Sequence, residues 1–145
     1  MKPSHLGHVH LKVNDLKIAE AFYTKLLGLK VQQKVKNDFV FLTLGKHHHD
    51  LALMNIGKDA PHPPEYSTGL YHFALELKNK AEFKKFYNKL KNKVTLYPVN
   101  HGISLAMYFN DPDNNTVELY VDTRKTIKQW NGNQILTEKE ISKLN

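Results

Sequence analysis

Polar and apolar residues alternate from Gly7 onward: Val9, Leu11 and Val13 fall on one side of an extended chain, His8, His10 and Lys12 on the other. A period of two marks a strand with one buried face. From Asp15 the period lengthens, and Ala19, Phe22, Tyr23 and Leu26 gather on one face of a helix. Asp15 is placed to cap that helix and Gly28 to stop it. The scheme then returns at a fixed offset (72 − 8 = 64). His8 falls on His72, Leu11 on Leu75, Val13 on Leu77, Phe22-Tyr23 on Phe86-Tyr87, Lys25 on Lys89 and Leu26 on Leu90. Asn79 stands where Asp15 stood, and Phe83, Phe86, Tyr87 and Leu90 form the second helical face. That many matches at one offset indicate an internal duplication.

Three short strands complete each copy, at about 29–35, 39–45 and 49–56 in the first and about 94–98, 104–110 and 115–121 in the second. Each half therefore reads as βαβββ. The segment "IGKDAPHPPEYSTG" between them is rich in Pro and Gly and reads as a linker. The expected organisation is an α+β chain: module one at 5–57, linker at 58–68, module two at 69–122 and a C-terminal tail at 123–145. In the tail, Thr137 and Glu140 have capping-box spacing, which predicts a short helix. Trp130 packs that tail either onto the sheet or onto a partner subunit, so a homodimer stays open.

Composition narrows the chemistry. At 145 residues and 41% hydrophobic content, the chain suits one compact domain rather than a disordered one. No apolar run approaches the roughly 20 residues of a membrane span, and the N-terminus lacks a signal-peptide core, so no membrane association and a cytoplasmic location are expected. With no cysteines, thiolate catalysis and Cys-bound metals are excluded. Any metal must be held by nitrogen and oxygen. The net charge of +7 comes almost entirely from lysine, with Arg124 the sole arginine. Arginine is the residue favoured for base readout and bidentate phosphate contacts, so no nucleic-acid partner is expected.

The closing strands extend the duplication. "HDLALMN" and "NTVELYV" superpose with Leu51 on Val117, Leu53 on Leu119 and Ala52 on Glu118. Two modules thus offer two equivalent pairs, His8 with His72 and Ala52 with Glu118, and three of these four are good metal ligands. Two imidazoles and a carboxylate would make a 2-His-1-carboxylate facial site, with the remaining positions open to substrate and a gas. Taken singly, each histidine could equally be a strand residue and Glu118 a solvent-facing charge.

"GHVHLKVNDLKIAEAFYTKLLGL", "TGLYHFALEL" and "DPDNNTVELY" resemble the module-start and closing-strand motifs of the vicinal oxygen chelate superfamily, across about residues 5 to 122. That superfamily includes glyoxalase I, fosfomycin-resistance enzymes, bleomycin-binding proteins and extradiol dioxygenases. The resemblance implies a single glyoxalase-like domain, an open curved sheet around a metal cleft, and His8, His72 and Glu118 as ligands. Glyoxalase I uses a fourth ligand where Ala52 stands, which disfavours its reaction here.

"KHHHDLAL" is similar to the "HH-x-x-A" pattern of extradiol dioxygenases, which makes His49 the counterpart of their acid/base histidine. "NHGISLAMYFNDPDNN" supplies His101 and Tyr108 at matching places, and the Bacillus-type catechol 2,3-dioxygenases are the nearest pattern. Those usually carry two module pairs, whereas this chain carries one. The resemblance implies Fe(II), with Mn(II) as the other candidate, and a small aromatic substrate with O2 as partners. His10, on the His8 face, and Ala52 would line the substrate pocket. The rivals are a fosfomycin-type thiol transferase, disfavoured by the scarcity of arginine, and a metal-free bleomycin-type binding protein, which has no need of the triad.

Overall fold

Asp15 opens the first helix because its carboxylate accepts two backbone N–H groups that the helix leaves without partners, from Lys17 at 2.9 Å and Ile18 at 3.2 Å. In the computed structural model, which describes residues 1–64, 66–124 and 129–144, strand β1 (Val9–Val13) leads into helix α1 (Leu16–Ala21). A π-helical segment, Phe22–Leu27, continues it to Gly28, which takes φ 83°. Residue 65, residues 125–128 within the tail, and residue 145 lie outside the described residues.

The π segment changes which side chains are buried. Ala19, Phe22 and Tyr23 face the core as the periodicity predicts, but the next buried position is Leu27 and Leu26 is half-buried. An i→i+5 turn is wider than an α turn, so the buried stripe steps one residue further along the chain.

Strands β2 (Lys30–Val35), β3 (Phe39–Thr43) and β4 (Leu51–Asn55) complete a four-stranded sheet in the order β1-β4-β3-β2. β3 stops at Thr43 because the Asp50 carboxylate takes the Leu44 N–H at 2.7 Å and the Thr43 hydroxyl takes the Gly45 N–H at 2.8 Å. These side chains turn the backbone out of the ladder and into the histidine run.

The second copy repeats the plan. β5 (Phe73–Glu76) precedes α2 (Lys80–Leu90), whose cap Asn79 accepts from the Glu82 N–H at 3.0 Å. Phe83 and Leu90 are buried, with Phe86 and Tyr87 at the half-buried edge of the face. β6 is Tyr97–Asn100 rather than the expected 94–98. The Lys93 and Val94 N–H groups both bond back to the Leu90 carbonyl, which holds the chain in a turn past the point where the strand was expected. β7 (Ser104–Asn110) and β8 (Thr116–Asp122) follow, and the sheet order is β5-β8-β7-β6-β9.

β9 (Gln134–Ile135) lies in the tail and pairs antiparallel with β6, an element the sequence pattern did not predict. The tail ends in α3 (Glu138–Ser142), where Thr137 and Glu140 form the expected reciprocal capping box. The α+β class and the two βαβββ modules stand as expected. Among the described residues no helix is long and apolar enough to cross a membrane.

The chain forms two compact units, one of Met1–Thr68 with Pro112–Asn114, the other of the remaining residues. The small turn joins the first unit because Asp113 accepts the Asn14 backbone N–H at 2.8 Å. Both units share one register. β1 runs parallel to β4 with Val9 opposite Leu51 and His10 opposite Ala52. β5 runs parallel to β8 with Phe73 opposite Val117 and Ala74 opposite Glu118.

Two stability predictions follow from these contacts. Asp15→Ala removes the acceptor for two helix N–H groups and is expected to cost about 1 kcal/mol, read as a lower urea midpoint with an unchanged slope. Leu53→Ala empties a fully buried core position and is expected to cost about 2–5 kcal/mol by the same measurement.

Candidate functional site

Within the second unit, β8 carries Glu118 into the sheet interior between Ala74 of β5 and Tyr108 of β7. The residue is 8% exposed. A carboxyl group held that far from water needs polar partners. His72, immediately before β5, supplies one: its Nε2 lies 3.0 Å from Glu118 Oε2. Tyr108 supplies another, since its hydroxyl faces the same carboxylate. Burial, followed by the Glu118 charge and hydrogen bond, pushes the Tyr108 phenol well above the ordinary tyrosine range. It therefore stays a protonated donor at any working pH.

His101 reaches Tyr108 from the β6–β7 loop, with Nε2 2.9 Å from the hydroxyl. The His72 ring meets the Tyr108 ring edge-on at 5.4 Å. A pocket of about 420 Å³ opens beside this group, lined by Tyr71, Tyr97, Val99, His101, Tyr108, Thr116 and Asn133. Its lining is mostly aromatic, with a few converging polar atoms, as small-molecule sites usually are.

In the first unit, His8 stands just before β1 and His49 just before β4. Because these two strands pair in parallel, the two rings meet, with centroids 4.4 Å apart. Desolvation, and then the neighbouring imidazoles of His8, His48 and His10, hold His49 below the ordinary histidine pKa, which favours its neutral form. Phe41 of β3 packs edge-on against His49 at 5.0 Å.

Phe41 also sits opposite Ala52, as Tyr108 sits opposite Glu118. The first unit thus carries an apolar pair where the second carries a phenol and a carboxylate. Ala52 is 1% exposed, so its place is filled by packing rather than left for a ligand. His10, in register with Ala52, is exposed and lies 5.8 Å from the Phe39 ring. His47 and His48 are exposed as well; His47 stacks on His5 at 5.4 Å.

The expected site residues are therefore gathered as His8 with His49 in one unit, and as His72, Glu118, Tyr108 and His101 in the other. Among the described residues no three His, Asp or Glu side chains stand close enough together to hold a metal ion. The His72–Glu118 pair nevertheless fits a metal's demands as two of its ligands. Cis ligands on an octahedral ion with bonds of about 2.1 Å lie about 3.0 Å apart, the separation found here. Both donors are of the nitrogen and oxygen type that divalent iron and manganese accept. His72 Nδ1 is buried with no hydrogen-bond partner, so nothing on that edge competes for the ring.

Sequence reasoning overlooked Phe41, whose likeness to Tyr108 shows only once the strands are paired. It also left Asn131 and Gly132 without a role and gave Trp130 only the packing of the tail, though all three surround His101. They belong to the tail, which has no counterpart in the duplication to point to them.

Residues 5–119 match the family model described as Glyoxalase/Bleomycin resistance protein/Dioxygenase superfamily. A catechol-2,3-dioxygenase of Bacillus subtilis is 30% identical over 138 residues, covering 92% of this chain and 48% of the Bacillus protein. The chain thus spans about half the length of that relative. A lactoylglutathione lyase of Escherichia coli O157:H7 is also 30% identical, over 124 residues, covering 79% of this chain and 90% of the lyase. Among solved structures, a glyoxylase/bleomycin resistance protein/dioxygenase domain from Frankia sp. EAN1pec superposes with a TM-score of 0.72 at 22% identity, covering 83% of this chain and 99% of that domain. The duplicated βαβββ modules, their shared register and the match over residues 5–119 together make this chain a member of the glyoxalase/bleomycin resistance/dioxygenase superfamily.

Proposed function

We propose that the protein is a metal-dependent extradiol-type dioxygenase that opens a catechol-like ring with O2. The observation that carries this reading is the pair of buried Glu118 and half-buried His72, with Tyr108 and His101 at its back, beside an aromatic-lined pocket. In this reading His8, His72 and Glu118 hold the metal, Fe(II) in the first instance and Mn(II) as the other candidate. The metal supplies a positive centre on which a catechol and O2 can be held side by side. Three protein ligands leave room for both.

The remaining chemistry belongs to side chains. A catechol must lose at least one hydroxyl proton to bind as an anion, and His49 is kept neutral by desolvation and by its imidazole neighbours, so it can accept that proton. Tyr108 keeps its own proton and donates a hydrogen bond that orients the phenolate oxygen. His101, bonded to Tyr108, fixes where that hydroxyl points and can stabilise charge that develops on oxygen. Both atoms of O2 enter the product as the carbon–carbon bond beside the hydroxyl-bearing carbons breaks, giving a semialdehyde acid, and no other co-reactant is needed.

The likeness to lactoylglutathione lyases is equal in identity, but Ala52 speaks for the dioxygenase branch, since the glyoxalase pattern places a fourth ligand there. Of the two module-one residues assigned to the pocket lining, His10 is exposed and keeps that role, whereas Ala52 is enclosed by packing and does not.

The test is anaerobic loading with Fe(II), followed by catechol, methylated catechols and a dihydroxybiphenyl in oxygenated buffer. A yellow ring-opened product with one O2 consumed per catechol is expected. His49→Ala should retain iron and lower kcat by about 10²–10⁴-fold. Bound iron with no product from any of these diols overturns the assignment, and thiol addition to fosfomycin with Mn(II) would replace it with a transferase.

A further inference from the structure

Of the three consecutive histidines, the structure brings two ring nitrogens together. His48 Nδ1 stands 3.0 Å from His49 Nδ1, with the ring planes at 86° to each other. An imidazole lone pair lies in the plane of its ring, so crossed rings with facing nitrogens can aim both lone pairs at one point. His47 takes no part in this pair. Its ring stacks on His5 with centroids 5.4 Å apart and planes 21° from parallel, so those lone pairs do not converge.

The loop that carries the pair is pinned at both ends. Thr43, 5% exposed, donates its hydroxyl to the His47 carbonyl at 2.8 Å, and the Asp50 N–H bonds the Leu42 carbonyl at 2.9 Å. Phe41 packs against both rings, with centroids 6.1 Å from His48 and 5.0 Å from His49. The two imidazoles are thus set before any ligand arrives, which lowers the entropy lost on holding one.

Two nitrogens at this distance suit either a shared proton or a shared metal ion. A proton on one Nδ1 makes an N–H···N hydrogen bond, and its transfer to Nε2 of the same ring frees both lone pairs. The spacing then selects the ion. With metal–imidazole bonds of about 2.0–2.1 Å, nitrogens at a right angle lie about 2.9 Å apart, whereas the tetrahedral angle of zinc needs about 3.4 Å. The 3.0 Å found here matches the right angle of a tetragonal Cu(II) or Ni(II) ion. The donors are nitrogen only, because the neighbouring Asp50 carboxylate is engaged by the Leu44 N–H at 2.7 Å. Such a set favours copper or nickel over manganese.

We infer that His48 and His49 chelate a divalent ion of their own, Cu(II) or Ni(II), through their Nδ1 atoms, with water completing its coordination. An imidazole bound through Nδ1 carries its proton on Nε2 and has no lone pair left to take a proton from substrate. The ion therefore switches off His49. That consequence for turnover rests on the dioxygenase reading; the chelation does not.

Copper titration followed by electron paramagnetic resonance, on the native protein, His48→Asn and His47→Asn, tests the site without any substrate. Native and His47→Asn chains are expected to bind equal copper. His48→Asn is expected to bind one ion fewer and to lose that ion's imidazole-nitrogen hyperfine signal, with unchanged circular dichroism. In the iron-loaded enzyme His48→Asn should keep the basal turnover and need at least about tenfold more Ni(II) for half-inhibition. Equal copper content in the native protein and His48→Asn overturns the inference, and so does an equal loss in His47→Asn. Loss of the ion in His48→Asn alone, in a protein that opens no catechol, upholds the chelation and removes only the dioxygenase reading.

Discussion

A carboxylate buried inside a sheet is the constraint around which the second unit is arranged. Glu118 sits in the middle of β8 with a strand on either side, and an ionised group in that place is tolerated only if every neighbour that can donate does so. His72 and Tyr108 meet that need, and His101 and Trp130 extend it outward. These polar side chains are thereby committed to one small region, and the sheet framework holds Glu118 in place. A fold under no functional demand would put an apolar residue at this position.

The first unit shows that apolar alternative. Its Ala52 and Phe41 occupy the positions of Glu118 and Tyr108 in the same strand register, and among the described residues that unit buries no charged side chain. The duplication therefore yields two modules of one architecture and unequal chemistry. The unequal pair is what separates the proposed three-ligand site from a four-ligand one. His49 departs from the duplication in the opposite sense: it borders the first unit's closing strand against His8, and its aromatic neighbour is Phe41 rather than a phenol.

The elements readable from the chain are those governed by local rules. Asp15, Asn79 and Thr137 cap the helices their side-chain chemistry predicts, and the offset between copies anticipated the strand–helix plan that the two modules share. What escaped depends on contacts that no local rule carries. The π-helical widening that buries Leu27 in place of Leu26 follows from how the helix packs, because the residue spacing suits either turn. The shift of β6 to Tyr97–Asn100 follows from the turn beyond Leu90, where the Lys93 and Val94 N–H groups bond back to the Leu90 carbonyl. At the site, the meeting of His72 with Glu118 could be read from the repeat, whereas Trp130 could not: it lies in a tail of weak periodicity whose strand is two residues long.

The central proposal is that Glu118 is held in the sheet to bind a divalent ion together with His72 and His8. Manganese titration followed by electron paramagnetic resonance tests it most directly, because free and bound Mn(II) give distinct signals without any assumption about substrate. The account predicts one Mn(II) bound per native chain, with at least tenfold weaker binding in both Glu118→Gln and His8→Ala. Equal affinity in the native protein and in either variant would contradict it.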